Sequence, residues 1–528
     1  MADGFNLTKK TSKVSMKILL ALFFIGSNIA FGAIKMPALF SNGMVLQQKK
    51  PLPIWGWGDA GKKVYVTFKN QTQTTTVNAD GKWMLRLNPL KASKQPTVLK
   101  IRVGSEQLHI KNVLVGEVWI CAGQSNMDHT LGWFVHTKLR TKKNKPIVKY
   151  LKKEMTQARD PLLRQITIPH MTSPKKKLDN FEGSWFESNP KMNKNFSATA
   201  YFFGRELRRE LKVPIGLIHC PWGGTPVESW IPISSYMKSP DLKKFYKKEV
   251  ARLTPLLAKE ATTKKQIMFK NINTKKIPGT LYNGMISPLI PYGIRGAIWY
   301  QGETNERFFP DEYAHRFSTM VKGWRAAWGQ DDFPFYYAQL ANYRGSHKNP
   351  IQKKIGWITV CNQQRLALEK IPNSGMIVLN DVGEAGDVHP KNKIDVGRRF
   401  SRWALAKDYG KDLVPSGPIF KSCKKKGRSV LVHFNYAENG LMVARKTLLD
   451  PPHSIKKPLQ GFELQGADGI WKKAKARILS PNTVTVSCPE ITRPTAVRYA
   501  WDNNPIEANL YNKDGLPTAI FTSACKKK

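Results

Sequence analysis

Acidic residues are the scarce class in this chain of 528 residues: 38 Asp and Glu stand against 85 Lys and Arg, a formal charge of +47 at pH 7. Such an excess invites a nucleic-acid reading, because clustered cations neutralise phosphates and release counterions. The sequence carries no recognition module, and its lysines spread through every region, densest at 138–153, 175–177, 238–276 and 424–426. No nucleic-acid partner is therefore expected. The excess reads as a solvated surface, with the sharper option that a basic field gathers a polyanionic glycan.

Cysteine is sparse as well. Six in a chain of this size make no disulfide scaffold. Cys121 and Cys220 read as small buried residues, while Cys423, Cys488 and Cys525 allow one bridge whose pair stays open. No histidine stands at ligand spacing from another His or Cys, so no metal is expected. Long apolar runs are missing too: 18–25 is too short to span a membrane, and no other segment is a better candidate. It follows Lys9, Lys10, Lys13 and Lys17 and precedes Ala30-Phe31-Gly32, the layout of an export signal over 1–32, with Met16 as an alternative start. The protein is expected to be periplasmic or extracellular, with no membrane contact beyond that signal.

What is present is a chain long enough for about three domains. From 33 to 112, β-branched and aromatic runs such as 64–68 predict a small β-sandwich. Within it, Asp80-Gly81 separates 74–77 from 83–87 as a hairpin turn would. From 113 to 410, strands alternate with helical patterns, and Ala200, Phe203, Leu207 and Leu211 share one face while Arg205, Arg208 and Arg209 point elsewhere. That is α/β architecture. From 411 to 528, strands return without helices, at 430–434, 483–486 and 496–501, and predict a second β-domain.

The chemistry sits at strand exits, where open α/β sheets collect ligand-binding groups. Gly123-Gln124-Ser125-Asn126-Met127 follows the apolar run 113–120 and lacks the second glycine of the G-x-S-x-G elbow. Alone it reads equally well as a turn or a helix cap. A distant histidine changes this. Val388-His389-Pro390 leaves the apolar run 376–379, so Ser125 and His389 can converge as nucleophile and base. Asp387 is the first candidate to orient the ring, with Glu384, Asp381 or a backbone carbonyl as alternatives.

Two further exits supply polar groups. Trp222-Gly223-Gly224-Thr225 follows 215–218, and its glycines let backbone N–H groups approach a developing oxyanion. Tyr300-Gln301-Gly302-Glu303-Thr304-Asn305 follows 294–298 and offers the neutral donors Gln301 and Asn305 together with Glu303. Gln124, Asn126, Glu228, Glu303, Trp222, Trp230 and Tyr300 are candidate contacts to a sugar. A carboxylated sugar needs a cationic clamp, for which Arg307, Lys391 and Arg365 are candidates.

Four exits in the order Ser, Gly-Gly, Gln/Asn, Asp-x-His resemble the SGNH-hydrolase superfamily, and the strings resemble its sialate O-acetylesterase branch. The resemblance extends to Met36-Pro37-Ala38-Leu39-Phe40-Ser41, Tyr201-Phe202-Phe203-Gly204-Arg205-Glu206-Leu207, Tyr282-Asn283-Gly284-Met285 and Asn509-Leu510-Tyr511-Asn512. It implies a three-layer domain with a parallel sheet between flanking β-sandwiches, and hydrolysis of acetyl esters on sugars through an acetyl-serine, without cofactor. Carried over, Ser125 is the nucleophile, His389 the base, and Gly224 the preferred glycine of the oxyanion hole. The superfamily's aspartate lies three residues before the histidine; here Gly386 stands there and Asp387 lies two before. Its third-block asparagine has no certain match, because Gln301 ends the strand and Asn305 lies further on. The expected function is an exported esterase acting on O-acetylated sialic acid. Deacetylation of acetyl-xylan or another polysaccharide is the alternative in the same class. A non-catalytic module binding anionic glycans is the alternative from another.

Overall fold

The computed structural model describes residues 34–138, 141–261, 274–345 and 356–525. The expected export signal lies outside them. The N-terminal strands are β1 (Val45–Gln47), β2 (Leu52–Trp57), β3 (Lys63–Phe68), β4 (Gln71–Thr76), β5 (Lys82–Leu87) and β6 (Ser93–Val103). Asp80-Gly81 does form a tight turn, with Gly81 N–H donating to Asn78 O at 3.0 Å. The strands it joins do not make a hairpin: β4 pairs with β3, and β5 pairs with β2. The alternation in β5 buries Trp83, Leu85 and Leu87, and β2 supplies the facing strand, so burial decides the pairing.

Strand β7 (Glu106–Gly123) runs through the boundary expected at 112/113. Its first half pairs with β6 and its second half lies in the central sheet. Asn112 takes a left-handed backbone, φ +57°, within the half paired with β6. The central sheet adds β8 (Asp160–Thr167), β9 (Phe186–Ser188), β10 (Ile215–Pro221), β11 (Gly296–Tyr300), β12 (Phe335–Ala338) and β13 (Ser374–Ile377) in the order β13-β12-β11-β7-β10-β8-β9. Every pair in it is parallel except β8 with β9.

The connecting helices are α1 (Ser125–Asp128), α2 (Leu131–His136), α3 (Lys145–Gln157), α4 (Ala198–Leu211), α5 (Ile233–Lys238), α6 (Pro240–Ala261), α7 (Tyr313–Trp328), α8 (Gly356–Ala367) and α9 (Lys393–Lys407). α4 shows why the sequence folds so. Ser197 caps its first turn, accepting from Ala200 N–H at 3.1 Å, an interaction worth about 1 kcal/mol. Ala200, Phe203 and Leu207 are buried, and the left-handed Lys212 ends the helix. Side chains alternate across β12, so helices cover both faces of the sheet. Tyr336 stacks on Trp403 of α9 at 5.8 Å. Its neighbours Phe335 and Tyr337 meet Phe317 of α7 at 5.8 and 4.9 Å.

Beyond α9 the chain forms antiparallel sheets, including the strands Ser429–Asn435, Thr483–Ser487 and Ala496–Tyr499. The architecture is mixed α/β, with a mainly parallel central sheet and β-strand sheets in the C-terminal region.

Candidate active site

Three parallel strands end level with one another. Gly123 of β7 pairs with Pro221 of β10 on one side and Tyr300 of β11 on the other. A Cβ at Gly123, where φ is +136°, would fall 2.2 Å from the Tyr300 carbonyl oxygen, so the position requires glycine. The chain then turns into α1, whose first residue is Ser125. As a first helical residue it has no carbonyl one turn back, and its N–H meets no acceptor among the described residues.

The loop after β13 brings His389 to the same point. Its Nε2 lies 2.8 Å from Ser125 Oγ. Its Nδ1 faces Asp387 Oδ1 at 3.8 Å, longer than a hydrogen bond. That oxygen accepts from the His389 backbone N–H at 3.0 Å. The other carboxylates weighed for this place are held elsewhere. Asp381 takes Arg399 at 2.6 and 2.8 Å, and Glu384 accepts Lys391 N–H at 2.7 Å. Asp387 is thus the carboxylate beside the imidazole.

Burial pushes the His389 pKa down to about 3, and His129, Lys393 and Lys391 add to the effect against the pull of Asp387. The ring is therefore neutral in ordinary buffers, the form that accepts a proton. His129 meets it edge-on at 4.5 Å and itself stacks on Trp133 at 3.7 Å. Sequence reasoning missed this wall; the one signal was an aromatic four residues after His129. Two buried lysines complete the surroundings. Lys391 Nζ lies 3.6 Å from Asp387 Oδ2 and 4.9 Å from the Trp133 ring centre. Lys393 Nζ donates to Asn126 Oδ1 at 2.7 Å, and burial lowers its pKa to about 7.

The glycine pair divides its tasks. A Cβ on Gly223 would lie 3.3 Å from that of Ser125. Its N–H donates to Asp128 Oδ2 at 3.1 Å, and its carbonyl accepts from Lys275 Nζ at 2.8 Å. Gly224, at φ +71°, is exposed, and its N–H has no acceptor among the described residues. Lys275, which the sequence reading did not single out, lies 5.7 Å from the Trp222 ring, whose other neighbour is His170, stacked at 4.6 Å.

The amides expected as oxyanion donors are committed within the protein. Gln301 Nε2 donates to Asn305 Oδ1, Thr225 O and Gln124 Oε1 at 2.8, 3.1 and 3.2 Å. Asn305 Nδ2 donates to Glu228 Oε2 and Phe308 O at 3.0 and 3.1 Å. Both side chains are fully buried. Their geometry ties the strand exits together and presents no donor to a ligand, because polar side chains at this depth must satisfy one another.

The same correction applies to most of the residues expected to touch substrate. Gln124 Oε1 also faces Gly302 and Thr304 N–H. Asn126 Nδ2 donates to Glu303 Oε1 at 2.6 Å and to Val388 O at 3.0 Å. Glu228 is buried and pairs with Arg316 at 3.1 Å. Trp230 and Tyr300 are buried in the core, while Trp222 is half-buried. Of the proposed clamps, Arg365 and Lys391 are buried and Arg307 is exposed, with its Nε 3.4 Å from Glu306. Among the described residues no group of three or more His, Cys, Asp or Glu is placed to hold a metal.

A helix-covered parallel sheet with a bonded serine and histidine at its carboxyl edge is the layout of a serine esterase. Residues 115–405 match the family model described as carbohydrate esterase, sialic acid-specific acetylesterase, and the chain belongs to that family. It is a carboxylic ester hydrolase. The sialate O-acetylesterase of Rattus norvegicus is 28% identical over 94% of this chain and 95% of its own length. That of Homo sapiens is 28% identical over 92% of both. Among solved structures, a carbohydrate acetylesterase from Xanthomonas citri superposes with a TM-score of 0.77 at 32% identity, covering 93% of this chain and 99% of its own.

Proposed function

We propose that the protein is an exported sialate O-acetylesterase that works through an acetyl-serine. The contact of 2.8 Å between Ser125 Oγ and His389 Nε2 carries the reading. Ser125 Oγ attacks the acetyl carbonyl carbon while His389 Nε2 takes its proton. The N–H groups of Ser125 and Gly224 receive the oxyanion. Collapse expels the sugar oxygen, which leaves with the proton from His389, and Ser125 carries the acetyl group. Water, deprotonated by the same imidazole, then attacks the ester; the bond to Ser125 Oγ breaks, that oxygen takes the proton back from His389, and the acid departs as acetate, giving its own proton to solvent. Asp387 stabilises the imidazolium through space and holds the backbone of His389. Trp222 and Lys275, beside the glycine pair, suit a carboxylated sugar ring.

The names of the relatives support sialate as the substrate, and the charge layout of 1–32 supports export. The test is acetate release from O-acetylated sialic acid and from acetyl-xylan side by side, with Ser125→Ala as blank. Serine-dependent release from the first is expected. Release mainly from the second would move the function to polysaccharide deacetylation, and release from neither would favour a glycan-binding role.

A further inference from the structure

A cavity of about 760 Å³ lies between the segment 380–386, the turn 143–144 ahead of α3, and the C-terminal segments 444–460 and 504–511. Ser125, His389 and Gly224 do not line it. Its volume is in the range of small-ligand sites, and its lining is polar. Asn144, 5% exposed, leaves its Nδ2 without a hydrogen-bond partner among the described residues, and Asn380 does the same with its buried Oδ1. Asn144 precedes α3, yet its side chain caps nothing. Both residues line the cavity, and each of these atoms, closed to water in this arrangement, can bond a sugar hydroxyl once its side chain turns toward the cavity.

The charges add a second constraint. Lys143, Arg445 and Lys457 line the cavity, are exposed, and form no ion pair among the described residues. The carboxylates beside them are compensated. Asp381 is held by Arg399, and Glu507 pairs with Lys473 at 3.3 Å. Glu384 accepts Lys391 N–H, and its pKa is raised by burial. The uncompensated charge is positive and spread over two parts of the chain, which suits anions repeated along a polymer better than one compact phosphate.

We propose that this cavity is a second carbohydrate-binding site, taking an oligosaccharide that bears carboxylate or sulfate groups. Lys143, Arg445 and Lys457 receive the anions, and Asn144 and Asn380 bond sugar hydroxyls. A chain held here lies against the segment that leads into Asp387 and His389, so further acetyl groups on the same polymer reach the serine at raised effective concentration. The binding claim stands independently of which ester is cleaved.

The test uses full-length Ser125→Ala protein, so that nothing is hydrolysed, and calorimetric titration at physiological salt. The probes are an oligosialic acid tetramer, a chondroitin sulfate tetrasaccharide and neutral xylotetraose. At least one anionic probe is expected to bind about tenfold or more tighter than xylotetraose, and to lose that advantage in Lys143→Gln/Arg445→Gln/Lys457→Gln. Which probe binds separates the carboxylated from the sulfated ligand. Asn144→Leu should weaken binding with the charges intact. A control removes the exposed Lys62, Lys63 and Lys100 and should change little. The same substitutions beside an intact Ser125 should keep full aryl acetate hydrolysis, which verifies folding. The proposal fails if anionic probes bind no better than xylotetraose, or if the control substitutions weaken binding as much as those at the cavity.

Discussion

Ser125 Oγ and His389 Nε2 stand at the hydrogen-bond distance that proton transfer between them requires, and their removal gives the sharpest residue-level expectation. Ser125→Ala and His389→Ala should each lower kcat by about 10⁴-fold or more with an unchanged melting curve. Asp387→Asn should cost on the order of 10² to 10⁴, with the smaller loss expected because its contact to Nδ1 is long, 3.8 Å. The pH profile follows from burial. With the His389 pKa pushed down to about 3, kcat/KM should hold its plateau well below pH 6 rather than falling near 6.5. Lys393 is one of the cations that disfavour the imidazolium. Lys393→Met should therefore raise the histidine pKa and move the acid limb toward neutrality. An acid limb already near 6.5 in the wild type, or one that does not move in the variant, would contradict this. The meeting of Ser125 and His389 was legible in sequence because each follows an apolar strand with a residue a core would not choose. Gln301 and Asn305 misled because the sequence shows that a side chain can donate but not to whom.

At the scale of elements, the second and third exits are held by a buried network that acts at a distance from the chemistry. Arg316, 2% exposed, joins Glu228 to Glu312, and Glu228 holds Asn305. Arg316→Met strands the buried Glu228 carboxylate and should cost about 3–5 kcal/mol in denaturant unfolding. The deficit should shrink as pH falls, since burial already raises the Glu228 pKa and protonation removes the unpaired charge. A deficit below about 1 kcal/mol would contradict the account. The strands of the central sheet were readable because burial on both faces writes continuous apolar runs. β7 was not readable as one strand, because its two halves belong to sheets with different patterns. The Asp80-Gly81 turn was readable, but the partners of β4 and β5 were not. Turn chemistry reports local geometry, and pairing depends on strands distant in sequence.

For the whole molecule, the exported reading has a covalent consequence. Sequence left the partner of a C-terminal bridge open, and the fold brings Cys423 Sγ to Cys525 Sγ, while Cys121, Cys220 and Cys361 are fully buried. In an oxidising compartment the first two thiols should close, losing two protons and two electrons to a thiol oxidase. Alkylation of the unfolded, unreduced protein followed by mass spectrometry should find Cys423 and Cys525 unlabelled. Labelling of both in protein recovered from its native compartment would contradict the bridge there. The charge of +47 is legible at this scale alone, as a statement about partners rather than about fold.

The central claim is that Ser125 carries the acetyl group between sugar and water. It is tested most directly by acid-quenching the enzyme during turnover of an O-acetylated sialic acid and mapping acetylation by peptide mass spectrometry. The account predicts one acetyl group on the peptide containing Ser125, absent from Ser125→Ala. Acetate release that persists in that variant, or an acetyl group found on another residue, would contradict it.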